Sequence, residues 1–336
     1  MTRARRGGLF RITWLLFNKR KFMDIWQIKD FHKRLHENIA KVILGKPEVI
    51  DLLIMAAVCK GHLLVEDVPG TGKTMLAKCL AKSLQADFKR IQFTPDMLPS
   101  DVTGLSIFNQ STREFEFRPG PLIANIVLAD EINRATPKTQ SALLEAMEEK
   151  QISVDGVTHL LPEFFMVIAT QNPIDYEGTF SLPEAQLDRF LMRLKVGYPD
   201  QDAEIAILDS QKIKHPFESI NTVAGIDELI KVQEEIKSVH VSKNIEEYII
   251  SIVKNTRENE EIYLGASPRG SLALYRLGQC RAAFVDRDFV IPDDIKYVAP
   301  FVLAHRIIPV PSTRLTDFEP EDIIGELISR IAVPGG

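Results

Sequence analysis

D-V-P-G-T-G-K-T, residues Asp67–Thr74, follows the apolar run His62-Leu63-Leu64-Val65 and precedes a helix-prone stretch, Met75–Leu84. A strand, a glycine-rich turn and a helix opening at Gly-Lys-Thr form a phosphate cradle. Backbone N–H groups of Gly70, Thr71, Gly72, Lys73 and Thr74 wrap a polyphosphate at a helix N-terminus, with Pro69 and Met75 at the edges of the loop. Lys73 is placed to reach the β- and γ-phosphates, and the Thr74 hydroxyl to ligate Mg²⁺. The first position of the pattern calls for Gly and carries Asp67 instead, which puts one turn residue in question and leaves the cradle. An isolated octamer of this kind is also read as a surface turn ahead of a helix. The flanking strand and helix favour the cradle.

The chain has 336 residues, 45% of them hydrophobic and 26% charged, which describes a globular protein with room for two domains. A net charge of −5 argues against a nucleic-acid binder held by phosphate contacts alone. Cys59, Cys79 and Cys280 lie far apart in apolar helical contexts and lack metal-site spacing. Buried thiols in a reducing, cytoplasmic compartment follow from that usage. Residues 1–22 carry seven basic and no acidic side chains, leaving −12 for the remainder. Their apolar run, Leu9–Phe17, is too short to span a bilayer and is broken by Arg11. Two readings stay open for this basic segment: a disordered extension upstream of a natural start at Met23, or an amphipathic stretch on a membrane surface. No stable membrane insertion is expected.

From residue 23 helix and strand patterns alternate, the signature of an open α/β sheet. Asp24–Val42 and a second helix from Pro47 to Gly61 come first. Strands are expected at His62–Glu66, Phe88–Phe93, Asn125–Asp130, Phe164–Thr170 and Phe190–Val196. Helices at Met75–Leu84, Pro137–Glu149 and Pro183–Asp188 separate them. Beyond Pro199 the pattern is helical throughout. The expected fold is therefore a three-layer αβα nucleotide-binding domain over residues 23–199, followed by an all-α lid over 200–336.

Four further stretches carry chemistry. Ile126–Ala129 is an apolar strand ending in Asp130 and Glu131. Asp130 is placed to hold the Mg²⁺ hydration shell, and Glu131 to polarise the water attacking a γ-phosphate. A lone Asp-Glu pair is more often a solvated strand end, but a cradle upstream brings both to one sheet edge. Phe165–Thr170 leads to Gln171 and Asn172, an amide able to orient that water; the alternative is an Asn favoured by the turn before Pro173. Arg189, ending a short helix, could pair with Asp188 or project into a neighbouring subunit's site. In G-A-S-P-R-G, Ser267 reads as an N-cap and Arg269 lies in the first helical turn. A cation there opposes the helix dipole, and a phosphate ligand supplies a reason for it.

On these stretches the chain resembles the AAA+ ATPases, and within them the MoxR family. The resemblance is carried by D-V-P-G-T-G-K-T at Asp67, R-I-Q-F-T-P-D-M-L-P-S-D-V-T-G at Arg90 and A-D-E-I-N-R-A at Ala129. It continues in A-T-Q-N-P at Ala169, L-P-E-A-Q-L-D-R-F at Leu182 and G-A-S-P-R at Gly265. It spans Met23 to Pro334.

The resemblance implies an AAA+ module of the helix-2-insert clade. The inserted β-hairpin would lie within Pro95–Leu122, around Phe108, Phe115 and Phe117, and a second hairpin within Gln151–Leu161, turning at Asp155-Gly156; residue alternation and the D-G turn support both independently. Asn172 would be sensor 1, Arg189 an arginine finger acting on a neighbour and Arg269 sensor 2. Val42-Ile43-Leu44-Gly45 would line the adenine of ATP. The implied activity is Mg²⁺-dependent ATP hydrolysis in a homo-oligomer, a hexameric ring. It would remodel, assemble or metallate a client, with a partner carrying a von Willebrand factor A domain. The rival is a nucleic-acid motor related to MCM-type helicases. The acidic balance weighs against it, as does the absence of Lys and Arg from Gln151–Leu161. A third reading, a scaffold that binds nucleotide without turnover, is opposed by the intact Glu131.

Overall fold

The structure is a computed structural model, described here for residues 25–68, 70–172, 179–210, 216–311 and 319–333. Two helices lead in, α1 (Ile25–Ala40) and α2 (Pro47–Val58), and deliver the chain to strand β1 (Leu63–Glu66) and helix α3 (Lys73–Ser83). Strand β2 (Phe88–Gln92) follows, then a short helix α4 (Pro99–Thr103) and a hairpin of β3 (Gly104–Asn109) and β4 (Glu114–Pro119). Strand β5 (Ile126–Asp130) leads to α5 (Pro137–Glu149), a second hairpin of β6 (Gln151–Val154) and β7 (Val157–Leu160), and β8 (Met166–Gln171). A single turn, α6 (Glu184–Leu187), precedes the last long-sheet strand, β9 (Met192–Leu194).

The central sheet has five parallel strands in the order β2-β5-β8-β1-β9. Its residues alternate between two cores. Leu63, Val65, Ile126, Leu128, Met166 and Ile168 enter the core shared with α1, α2, α3 and the helices that follow the sheet. Leu64, Val127, Ala129, Val167 and Ala169 enter the core under α5 and the hairpins. A period of two with both faces covered is what makes these strands read as continuous apolar runs. Both hairpins form where the sequence places them, and β6–β7 turns at Asp155 (φ 51°) and Gly156 (φ 80°).

Beyond the sheet stand α7 (Gln201–Ser210), α8 (Ile226–Glu235), α9 (Lys243–Glu258), α10 (Pro268–Phe284), α11 (Pro292–Leu303) and α12 (Pro320–Arg330). One small correction applies here. Two strands, β10 (Ile262–Leu264) and β11 (Ile308–Pro309), pair antiparallel within this helical region. At three and two residues they are too short to carry a readable alternation. The three cysteines are buried free thiols, and burial pushes Cys79 up to about 12.

The helical lid is fixed to the sheet by ionic struts. Arg306 is nearly enclosed: its Nε donates to Asp188 Oδ1 at 2.9 Å, and its Nη2 to the Phe190 carbonyl at 2.6 Å. Burial outweighs Asp188 and lowers the Arg306 pKa to about 10. Ser267 Oγ donates to Asp188 Oδ2 at 2.8 Å from the start of α10. Arg193 bridges Glu66 of β1 (3.0 Å) and Glu321 of α12 (2.8 Å).

Candidate functional site

The cradle sits at the C-terminal end of β1. Gly72 is the N-cap of α3 in a left-handed conformation (φ 88°), and Gly70 shares that region (φ 86°). Only glycine enters it freely. A Cβ added to either would meet nothing within 4 Å, so both residues border open space at a helix N-terminus. The first-turn N–H groups of α3 point into that space, a geometry suited to phosphate oxygens. Lys73 Nζ donates to the Asp67 carbonyl at 2.7 Å. Burial lowers its pKa, an effect opposed by Asp67, Asp130 and Glu131. Thr71 Oγ1 donates to the Val68 carbonyl at 3.3 Å, Thr74 lies in the first turn of α3, and Met75 packs against the core beneath. Pro69 lies outside the described residues.

Asp67, the departure from the glycine pattern, is nearly buried. Its Oδ1 accepts from the Val68 N–H and its Oδ2 from the Gly197 N–H, both at 2.7 Å. The carboxylate thus ties the start of the cradle to the segment leaving the sheet. That segment also lies against the expected adenine-lining residues. Lys46 Nζ donates to the Tyr198 carbonyl at 2.7 Å. Gly45 (φ 71°) lies so near Ala203 of α7 that a Cβ on it would come within 2.6 Å of the Ala203 Cβ. Val42 and Ile43 pack half-buried against the core. Residues 42–45 therefore stand beside the exit from β9, joined through Gly197 to the base of the cradle.

Parallel register brings the carboxylates to the same edge. Glu66 pairs with Gln171, Gln92 with Asp130, and Ala129 with Ala169. Thr170 Oγ1 donates to Asp130 Oδ1 at 2.6 Å and accepts from the Glu131 N–H at 2.8 Å. Arg90 of β2 donates to Asp130 Oδ2 at 2.6 Å. Glu131 has a left-handed backbone (φ 56°, ψ 51°), unfavourable for a residue with a Cβ. Gln92 Nε2 (2.8 Å) and Arg134 Nη1 (3.1 Å) both donate to its Oε2. Asn172 follows β8 on this edge, nearly buried, its carbonyl accepting from Asn133 Nδ2 at 3.5 Å. The side chains Arg90, Gln92, Arg134 and Thr170 belong to this constellation, and sequence reasoning did not single them out. Parallel register alone could have pointed to Gln92 and Thr170.

The two candidate arginines are elsewhere. Leu191 N–H donates to the His62 carbonyl at 2.8 Å, so Arg189 precedes β9 at the edge where the strands begin. Its Nη2 lies 2.9 Å from Glu148 Oε2, and Arg269 Nη2 contacts Glu148 Oε1. Local pairing of Arg189 with Asp188 does not occur, because Asp188 is taken by Arg306 and Ser267. Ser267 caps α10 as expected, its Oγ accepting from the Arg269 N–H at 3.1 Å. The arginines border a cavity of about 230 Å³ together with Lys60, Gly61, His62 and Arg276. The cradle and the arginine pair thus lie at opposite ends of β1.

A five-stranded parallel sheet with its cradle after β1, two carboxylates closing β5 and a helical lid defines the AAA+ class of P-loop proteins. Residues 62–192 match the ATPase family associated with various cellular activities (AAA), and residues 254–327 match the AAA lid domain. The chain is 53% identical to the protein YeaC of Bacillus subtilis over 298 residues, covering 89% of this chain and 93% of YeaC. It is 37% identical to chaperone MoxR1 of Mycobacterium tuberculosis over 305 residues, covering 88% of this chain and 80% of MoxR1. A crystal structure of a candidate ATPase from Cytophaga hutchinsonii superposes with a TM-score of 0.86 at 37% identity, covering 92% of this chain and 96% of that one. The chain belongs to the MoxR family of AAA+ ATPases.

Proposed function

We propose that the protein hydrolyses ATP with Mg²⁺ as a homo-oligomeric, hexameric ring and applies that energy to remodel, assemble or metallate a client protein. The observation that carries this reading is the convergence of the Lys73 cradle, Asp130 and Glu131 on one sheet edge. Gly70 to Thr74 bind the phosphates and Lys73 adds its charge, while Val42, Ile43 and Gly45 border the base. The Thr74 hydroxyl and Asp130 carboxylate are hard oxygen donors that fit Mg²⁺, and both would hold it. Held by those two residues, the ion would supply neutralisation of phosphate charge. Glu131 accepts the proton of the attacking water at its carboxylate, and the Asn172 amide orients that water.

Arg189 and Arg269 act on the adjacent subunit's γ-phosphate in this proposal. Their own cradle is beyond the far end of β1, whose four residues alone span about 13 Å. Both arginines are partly exposed at their own edge, which suits a head-to-tail ring. A partner with a von Willebrand factor A domain is proposed on family membership.

Two measurements test this reading. Lys73→Ala is expected to abolish binding of a fluorescent ATP analogue, because the phosphates lose their main cation. Near-native affinity in that variant would move the cradle to another loop. ATPase activity at physiological salt is expected to be unchanged by single-stranded or duplex DNA. With a net charge of −5, counterion release has little to act on. Salt-sensitive stimulation by DNA would favour a helicase-like motor instead.

A further inference from the structure

We infer that Glu148 is a positioning residue that gathers Arg189 and Arg269 into one cationic fork for the neighbouring subunit's γ-phosphate; the inference rests on the trans reading given above. The two arginines come from different parts of the molecule. Arg189 ends the turn before β9, whereas Arg269 opens α10 of the lid. Glu148 joins them with a separate oxygen for each: Oε2 faces Arg189 Nη2 at 2.9 Å, and Oε1 faces Arg269 Nη2. One charge-assisted contact to each guanidinium thus holds both cations at a single carboxylate.

The other carboxylate nearby is committed. Asp188 takes Arg306 at 2.9 Å and Ser267 at 2.8 Å, and its nearest approach to the Arg269 guanidinium is 4.0 Å. Without Glu148, Arg189 and Arg269 would face each other near Arg306, with Lys60 and Arg276 on the same cavity. Arg269 already helps depress the Arg306 pKa, behind the larger effect of burial. Repulsion would drive the two free guanidiniums apart. With Glu148 present they stay together, and two cations on one anion leave a net positive charge for an incoming phosphate. Glu148 is itself partly exposed, so its side chain is not a packing element. It rides near the C-terminal end of α5, whose first residue, Pro137, follows shortly after Glu131 and Arg134. One helix of 13 residues, about 20 Å long, therefore holds the fork at a set distance from its own subunit's carboxylate edge.

The test uses the assembled full-length protein. Glu148→Gln keeps the shape and removes the charge. It is expected to bind the fluorescent ATP analogue and to form rings like the unaltered protein, with KM unchanged and kcat lowered roughly 10- to 10²-fold, the scale of a misplaced catalytic group. Glu148→Asp, which keeps the charge on a shorter arm, is expected to fall between. Mixed rings report the direction of action. Glu148→Gln mixed with Glu131→Gln should regain activity, since one supplies an intact base and the other an intact fork. Glu148→Gln mixed with Arg189→Ala should not, since both lack the fork. An unchanged or raised kcat in Glu148→Gln overturns the inference, a rise meaning that Glu148 restrains the arginines. So does failure to recover with Glu131→Gln, which would locate the defect in the variant's own site. The trans reading has a separate test in mixtures of Arg189→Ala with Glu131→Gln. Recovery there beside a normal Glu148→Gln rate removes only the Glu148 assignment, whereas no recovery there removes both.

Discussion

Glu131→Gln is expected to bind ATP with little loss while turnover falls by at least ~10²-fold, the usual contribution of a positioned general base. The amide keeps the size and hydrogen-bonding reach of the side chain and cannot take a proton from water. Binding should survive because the cradle is built from Gly70 to Thr74, and the Glu131 backbone is held independently of its carboxyl by Thr170 Oγ1. The amide can still accept from Gln92 and Arg134, which now hold Glu131 Oε2 at 2.8 and 3.1 Å. The left-handed backbone is unaffected by this exchange, so a loss of rate cannot be assigned to relieved strain. Single-turnover hydrolysis alongside titration of the fluorescent analogue separates the two effects. A variant retaining half of the unaltered rate would remove Glu131 from the chemistry.

What could be read from the chain was local or periodic. The Leu63–Glu66 strand, the turn through Gly70 and Gly72 and the helix from Lys73 each depend on near neighbours, and the inner strands β1, β5 and β8 show themselves as apolar runs because both faces are covered. Side-chain partners from distant segments were less legible. Asp188 beside Arg189 invited a local pair, yet Asp188 binds Arg306, 118 residues further on. Arg90 reaches Asp130 across 40 residues and Gln92 reaches Glu131 across 39, because β2 and β5 are adjacent in the sheet. Strand order is set by how the helices pack, and no single stretch of sequence encodes it. Asp67 illustrates the converse: its departure from the glycine pattern was visible, but its use was not. The reason for an Asp appears only when Gly197 is brought within 2.7 Å of its carboxylate.

Arg189→Ala is expected to bind ATP and assemble normally but to hydrolyse at least ~10²-fold more slowly, since charge developing on the neighbour's γ-phosphate goes unneutralised. Stability should change little. The Arg189–Glu148 pair is partly exposed, with 28% and 36% of the side chains accessible, and such pairs contribute roughly 0–1 kcal/mol. The lid is anchored instead by Arg306, which is 3% accessible and bound to Asp188. Arg306→Ala provides the contrast: it leaves the partly buried Asp188 without its main cation and is expected to lower the unfolding midpoint strongly. A purely structural role for Arg189 would make the two variants alike. Mixing Arg189→Ala with Glu131→Gln subunits distinguishes the remaining possibilities. In a head-to-tail ring formed at random from equal amounts, roughly a quarter of the interfaces pair an intact Glu131 with an intact Arg189 from the next subunit. Activity near that fraction should therefore return, although each variant alone is nearly silent. If labelled subunits exchange and no mixture recovers activity, Arg189 does not act across the interface.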